Sequence, residues 1–256
     1  MDDNVSRRWA REEALLGLAR DTADGDFARG GLAALAVNPT VRIVVLPGDP
    51  SSQVVPAVDP SQVIPQMIML PGGQQLPYHG TVRGTSSGYV GYTAGDEGRW
   101  PSFDAVHWHG GVDVFLGPEG GRKVEYPPGF TGRVIFLRKT VGWAWAAFEL
   151  QRQMAERFGI AGPFRVILAV ADTSGAVLGL LGAGWAEPRP AALLDLPTAI
   201  EPRVLLLEDL AEWPDEKGAM ELALRFGARL DLAFGGPGER HLDRAGPEQG
   251  RFNSRW

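Results

Sequence analysis

The sequence predicts an α+β domain with a mixed, mainly antiparallel sheet and two packed helices, and three observations carry that prediction. Short apolar runs of buried-strand type recur at Val41 to Leu46, Val134 to Leu137, Phe164 to Val170 and Val204 to Leu207. Two stretches, 141–158 and 215–233, place apolar residues at helical spacing. Between them and the N-terminus, twelve of the 20 prolines lie before Phe130, a density that favours short strands joined by turns over compact helices.

Taken in order, residues 4 to 20 read as a helix with Trp9, Leu15, Leu16 and Leu18 among arginines and glutamates, and the pattern breaks over Asp21 to Gly31. Residues 1–40 are therefore read as an N-terminal helical segment, 41–236 as a single α+β domain and 237–256 as a polar C-terminal tail. The segment can dock on its own domain or reach toward a partner. Val41 to Leu46 is a strand that stops at Pro47-Gly48-Asp49-Pro50. Further antiparallel strands are expected at Val63 to Leu70, Gly80 to Val82, Ser87 to Tyr92, Ser102 to His109, Val112 to Leu116 and Lys123 to Tyr126.

The centre of the chain is the stretch from Arg133 to Trp185. Thr140 is read as the N-cap and Gly159 as the stop of a helix whose stripe is Trp143, Ala147, Leu150, Met154 and Phe158. Phe164 to Val170 follows, with a turn at Asp172 to Gly175 into a return strand, Ala176 to Leu181. The strand, helix, strand order of Val134 to Val170 suits a right-handed crossover between two parallel strands. The second helix, Asp215 to Ala233, carries Met220, Leu224, Ala228 and Leu232 on one face and stops at Gly235-Gly236. The tail is polar and loose except where Leu242, Phe252 or Trp256 is tucked in.

Composition bounds the function. With 44% hydrophobic and 22% charged residues the chain is that of a globular protein, and a formal charge of -6 argues against nucleic acid or an anionic membrane surface as partner. The absence of cysteine excludes disulfides, thiolate catalysis and cysteine-ligated metal centres. No secretory h-region or membrane span is visible, so a cytoplasmic protein is expected. Asp195 to Glu216 holds seven carboxylates against Arg203 as its only base, a solvated face or an acidic docking surface.

Among candidate residues, His107 and His109 lie two apart and share one face of a strand, so both could reach a metal ion. If Gly110-Gly111 makes a two-residue turn, however, Trp108 pairs with Asp113 and the histidines point away from that carboxylate. A third ligand would then come from elsewhere, such as His79; the bland alternative is imidazoles packed beside Trp108 and Phe115. The glycine loops Gly84 to Gly88 and Gly117 to Lys123 lack the P-loop pattern and read as turns that could also contact an anion. Ser86 and Ser87 lack a nucleophile elbow, and the adjacent Glu208-Asp209 is no acid-base pair. Trp143 and Trp145 lie about 200° apart on a helix. Trp145, beside Phe148, is thus assigned to a second packing layer, a ligand pocket or a partner surface.

The residues favour a non-enzymatic binding or sensor module that recognises a protein partner or a small ligand near Trp145, Phe148, Trp108, His107 and His109. No cofactor is expected, and oligomerisation is left open. The alternative is a metal-dependent hydrolase acting through His107 and His109. The run Glu156-Arg-Phe-Gly-Ile-Ala-Gly-Pro-Phe-Arg-Val-Ile-Leu-Ala-Val-Ala-Asp172, with Gly182 to Pro188, Leu224 to Gly235 and the ending Gly250 to Trp256, resembles the C-terminal region of a prokaryotic family. Those proteins carry an N-terminal Schlafen-related AlbA-like domain, which is absent before Val41. The resemblance implies a sensor or interaction module in a defence or regulatory setting and transfers no site residue.

Overall fold

A computed structural model of the chain describes residues 2–18, 32, 41–64, 67–70, 74–77, 81–93, 102–117, 121–126, 130–179, 197–240 and 242. It is an α+β fold. A seven-stranded antiparallel sheet runs in the order β12 (Arg203–Leu210), β10 (Phe164–Ala171), β1 (Val41–Pro47), β7 (Val112–Leu116), β6 (Ser102–His107), β5 (Gly88–Thr93) and β4 (Thr81–Gly84). Two smaller sheets accompany it. One joins β11 (Val177–Gly179) and β8 (Gly121–Tyr126) to β9 (Phe130–Phe136), and the other pairs β2 (Met67–Leu70) with β3 (Gln74–Pro77).

β1 is buried along its whole length, which is why it reads as an apolar run. One face of the large sheet, with Ile43, Val45, Val114, Val166 and Leu168, packs under α3 (Leu137–Phe158) and α4 (Glu216–Ala233). The other face carries Val44, Leu46, Ile167 and Ala169 and is covered by α1 (Asp3–Leu15) through Trp9 and by Leu16 and Leu18 beyond it. Farther along, Phe103 stacks on Phe115 with ring centroids 5.2 Å apart.

α1 is fastened at several points. Asp2 caps it by accepting from Asn4 N–H, and the Trp9 indole N–H donates to Pro47 O at 2.8 Å. Arg165 lies over the Trp9 ring and pairs with Glu13 at 2.9 Å. The helical segment therefore docks on its own domain.

Several expectations are corrected. A short helix, α2 (Pro60–Val63), stands at the head of what the sequence reads as a strand, capped by Asp59 with proline at its start. α3 begins at Leu137 straight out of β9, so Thr140 is inside the helix and not its cap; Gly159 ends it in the left-handed conformation, as expected. The return strand after Gly175 does not pair back on β10. Instead β11 leaves the large sheet and runs parallel to β9, because the Asp172 to Ala176 turn is anchored by Thr173 N–H on Pro202 O and by Gly175 N–H on Ala199 O. The crossover through α3 thus connects different sheets, and the parallel pair is β9 with β11.

On α4 the buried positions are Ala219, Leu222, Ala223, Phe226, Gly227, Leu230 and Asp231, while Leu232 is 59% exposed. Small residues at 219, 223 and 227 let α4 approach α3 closely and turn the buried stripe away from Leu232. The start of the tail is also packed. Asp231 on α4 accepts from Arg240 Nε at 2.5 Å and from Gly238 N–H, and Arg240 reaches Leu178 O on β11. Among the described residues no helix is long and apolar enough to cross a membrane.

Candidate functional site

Trp145 and Phe148 are not surface residues. They are 4% and 0% exposed, and Phe148 meets Trp213 and Phe226 at centroid distances of 6.0 and 5.9 Å. Every residue of α3 from Thr140 to Gln151 is buried, because the helix lies between the large sheet, β2 and α4 and has no solvent side there. The partner surface placed at these two aromatics therefore does not exist.

The three other candidates do come together. The β6–β7 connection is longer than a two-residue turn: Gly110 N–H donates to His107 O and His107 N–H to Gly111 O, which sets Val106 opposite Val112 and Ala105 opposite Asp113. That register reverses the expected arrangement. Asp113 now shares a face with His107, and His107 Nε2 lies 3.5 Å from Asp113 Oδ2. Arg42 on the neighbouring β1 faces the same way and holds both carboxylate oxygens, at 2.9 and 2.6 Å, while its third contact is Leu16 O at 2.6 Å. Both members of this pair are fully buried.

His109 stacks beside His107 with centroids 5.1 Å apart and planes 16° from parallel. Gly111 N–H donates to His109 Nδ1 at 3.1 Å, so the neutral ring carries its proton on Nε2, which faces Glu12 Oε1 of α1 at 3.5 Å. A side chain at Gly111 would put Cβ 2.4 Å from Val45 O and 2.7 Å from His109 Cε1, which is why glycine stands there. Neither Nε2 has a hydrogen-bond partner, and both lie farther from their carboxylates than a normal N–H···O bond.

Burial pushes the His109 imidazole below its ordinary pKa against the opposing pull of Glu12. The contact with His109 outweighs burial and holds the Glu12 carboxyl below its usual value. Burial would raise Asp113, but the charge and hydrogen bonds of Arg42, joined by His107, overcome it and keep the carboxyl well below the usual range. All three groups bind a proton less readily folded than unfolded, so each contributes stability that is lost on acidification. The His109 share is complete above about pH 6.5 and falls away below it, whereas the carboxylate shares go below about pH 4. Urea midpoints are expected to drop from pH 7 to 5.5 and again below about pH 4, with His109→Gln flattening the first step; a midpoint that rises between pH 7 and 5.5 contradicts this account.

Glu12, His107 and His109 line an open cleft of about 440 Å³ between α1 and the β6–β7 connection. Its lining adds Leu15, Leu16 and Leu32 on one side and Ser51, Ser52, Gln53 and Ser87 on the other. Trp108 completes it, half-buried, with its indole N–H on Ser86 O at 2.8 Å and its ring edge-on to Tyr89. Ser51 and Ser52 both donate their hydroxyls to Asp49, so neither is paired to an imidazole as a nucleophile.

Among the described residues no group of three or more metal-capable side chains could hold a metal ion, and both Asp113 oxygens already belong to Arg42. His79, His241 and residues 118–120 of the second glycine loop lie outside the described residues. Gly84 to Gly88 is the β4–β5 turn, closed by Thr85 N–H on Gly88 O. In the acidic stretch Asp209 pairs with Arg165, and Glu208 with Arg225 and Arg229. Glu12 and Arg42 are the residues that sequence reasoning missed, and Asp113 is the one it set on the wrong face. For Arg42 and Asp113 the signal was a lone charge inside each of two apolar strands, which demands a buried partner; Glu12, on α1, carried none. No family model, curated protein or solved structure matches the chain.

Proposed function

We propose that the protein is a non-enzymatic binding or sensor module, and that its ligand is a small molecule held in the cleft over His107, Trp108 and His109. The observation that carries this reading is a cleft of ligand size lined by the His107 and His109 imidazoles, the Glu12 carboxylate and the half-buried Trp108. A sensor needs only a cleft tied to the rest of the fold. That tie is present: Glu12 and the Arg42 contact on Leu16 O link the cleft wall to α1, so occupancy and α1 docking are coupled. The defence or regulatory setting implied by the family resemblance suits such a module.

The test is a thermal-shift screen of the full chain against a small-molecule library, read by tryptophan fluorescence. A ligand at a hundredfold over its Kd adds about 2.7 kcal/mol, which is a rise of about 5–10 °C for a chain of this size. Hits should lose their shift in Trp108→Ala. A library that moves neither the wild type nor its fluorescence, together with a native mass equal to the bare chain, would sink the reading.

A further inference from the structure

We infer that two copies of the chain associate edge to edge through β12, about a two-fold axis at Leu206, into one continuous antiparallel sheet. β12 ends the seven-stranded sheet, and among the described residues it has a strand partner, β10, on one side only. Its middle reads Leu205-Leu206-Leu207, and all three are half-buried. An apolar edge of eight residues is a template for another strand, whereas edges that stay unpaired are ordinarily short, bulged or charged through their middle. A groove of about 690 Å³ lies along that edge. Arg203 and Leu205 line it from one face of the sheet and Val204 and Leu206 from the other, so its floor is the rim of the strand itself, with Ile200 and Ala233 as walls.

Self-complementarity names the occupant. A two-fold axis makes the new pairing antiparallel, which continues the pattern of every pair in the large sheet. The backbone groups on one edge recur at every second residue, so residues opposed across the axis belong to the same alternate set. With Leu206 on the axis, Leu205 meets Leu207, Val204 meets Glu208 and Arg203 meets Asp209, each pair twice. On the face shared with Trp9, the leucine pairs extend the apolar cluster that already includes Leu205 and Leu207, and an Arg203–Asp209 pair closes it at each end. Asp209 is held by Arg165 through both oxygens, and each keeps a lone pair for Arg203. An axis at Leu205 or at Leu207 loses both charge pairs. The groove fits this register, because the rim of residues 203–206 is where residues 206–209 of the second copy lie, and each copy fills the other's groove. Arg229, whose Nη1 meets Leu207 O at 3.0 Å, is 40% exposed and swings clear as the second strand docks.

The oligomeric state of the full chain tests this, by sedimentation velocity and native mass spectrometry over micromolar concentrations. A mass twice that of the chain is expected, with hydrogen exchange of the β12 amides slowing as concentration rises. Leu206→Arg sets two guanidinium groups against each other on the axis, and Arg203→Glu sets carboxylate against carboxylate; each should weaken the dimer at least tenfold. Leu206 also packs against the core, so Arg203→Glu, at the end of the strand, is the variant that separates loss of pairing from loss of fold, with circular dichroism reading the fold. A chain that stays monomeric overturns the inference, whether β12 exchanges fast, as an open edge does, or slowly, as an edge covered by its own chain does. A dimer that either variant leaves intact overturns it too, since the contact or its register then lies elsewhere. None of these results bears on the ligand reading of the cleft, which lies at the β6–β7 connection.

Discussion

Asp113→Ala is expected to lower the unfolding free energy by about 3–5 kcal/mol, because it removes the carboxylate that takes two hydrogen bonds from the buried Arg42 guanidinium in the middle of a sheet. Arg42 is 0% exposed and cannot turn to water, since β1 is buried on both faces. The loss should spread beyond the pair. Leu16 O depends on the same guanidinium, so the end of α1 loosens, and His107 loses the carboxylate 3.5 Å from its Nε2. Urea denaturation measures the first effect, and hydrogen exchange of the α1 amides the second. The double variant Arg42→Met with Asp113→Leu should recover most of the stability, since a buried ion pair is replaced by apolar groups of similar length. It should not recover the cleft, whose imidazoles would then face leucine. A single Asp113→Ala variant within about 1 kcal/mol of wild type would mean that the ion pair does not hold the sheet together in the way argued.

The sequence showed the strands better than their partners, and particular residues show why. β1 and β10 were legible because strands buried in a sheet interior read as largely apolar runs, the half-buried edge strand β12 from its run Val204 to Leu207, and α3 and α4 because glycine and helical spacing mark their limits. Pairing is a non-local property. That β11 joins β9 and not β10 depends on contacts of the 172–176 turn with Ala199 and Pro202, more than twenty residues away. The site suffered from the same limit on a smaller scale. An odd shift in the β6–β7 register, from Trp108 opposite Asp113 to Ala105 opposite it, moves Asp113 from the far face to the face of His107. The histidines and Trp108 line one cleft, while Arg42 and Glu12, 65 and 95 residues from His107, were invisible to local spacing.

Trp145→Ala separates the two roles that helical geometry left open for this residue. A surface anchor would leave the fold unchanged; a residue 4% exposed within the main hydrophobic core should not. Removing the indole is expected to cost about 3–5 kcal/mol through lost burial and the cavity left behind. For a chain of this length that lowers the melting temperature on the order of 10 °C. Phe148→Ala should behave similarly, since its ring contacts both Trp213 and Phe226 and so joins α3 to α4 and to the segment between β12 and α4. Neither variant touches the cleft, which lies across the large sheet from α3. At temperatures where each variant remains folded, a ligand of the cleft should bind with unchanged affinity. Loss of binding with an unchanged melt would instead place Trp145 at a binding surface, and would show that α3 opens toward solvent in solution.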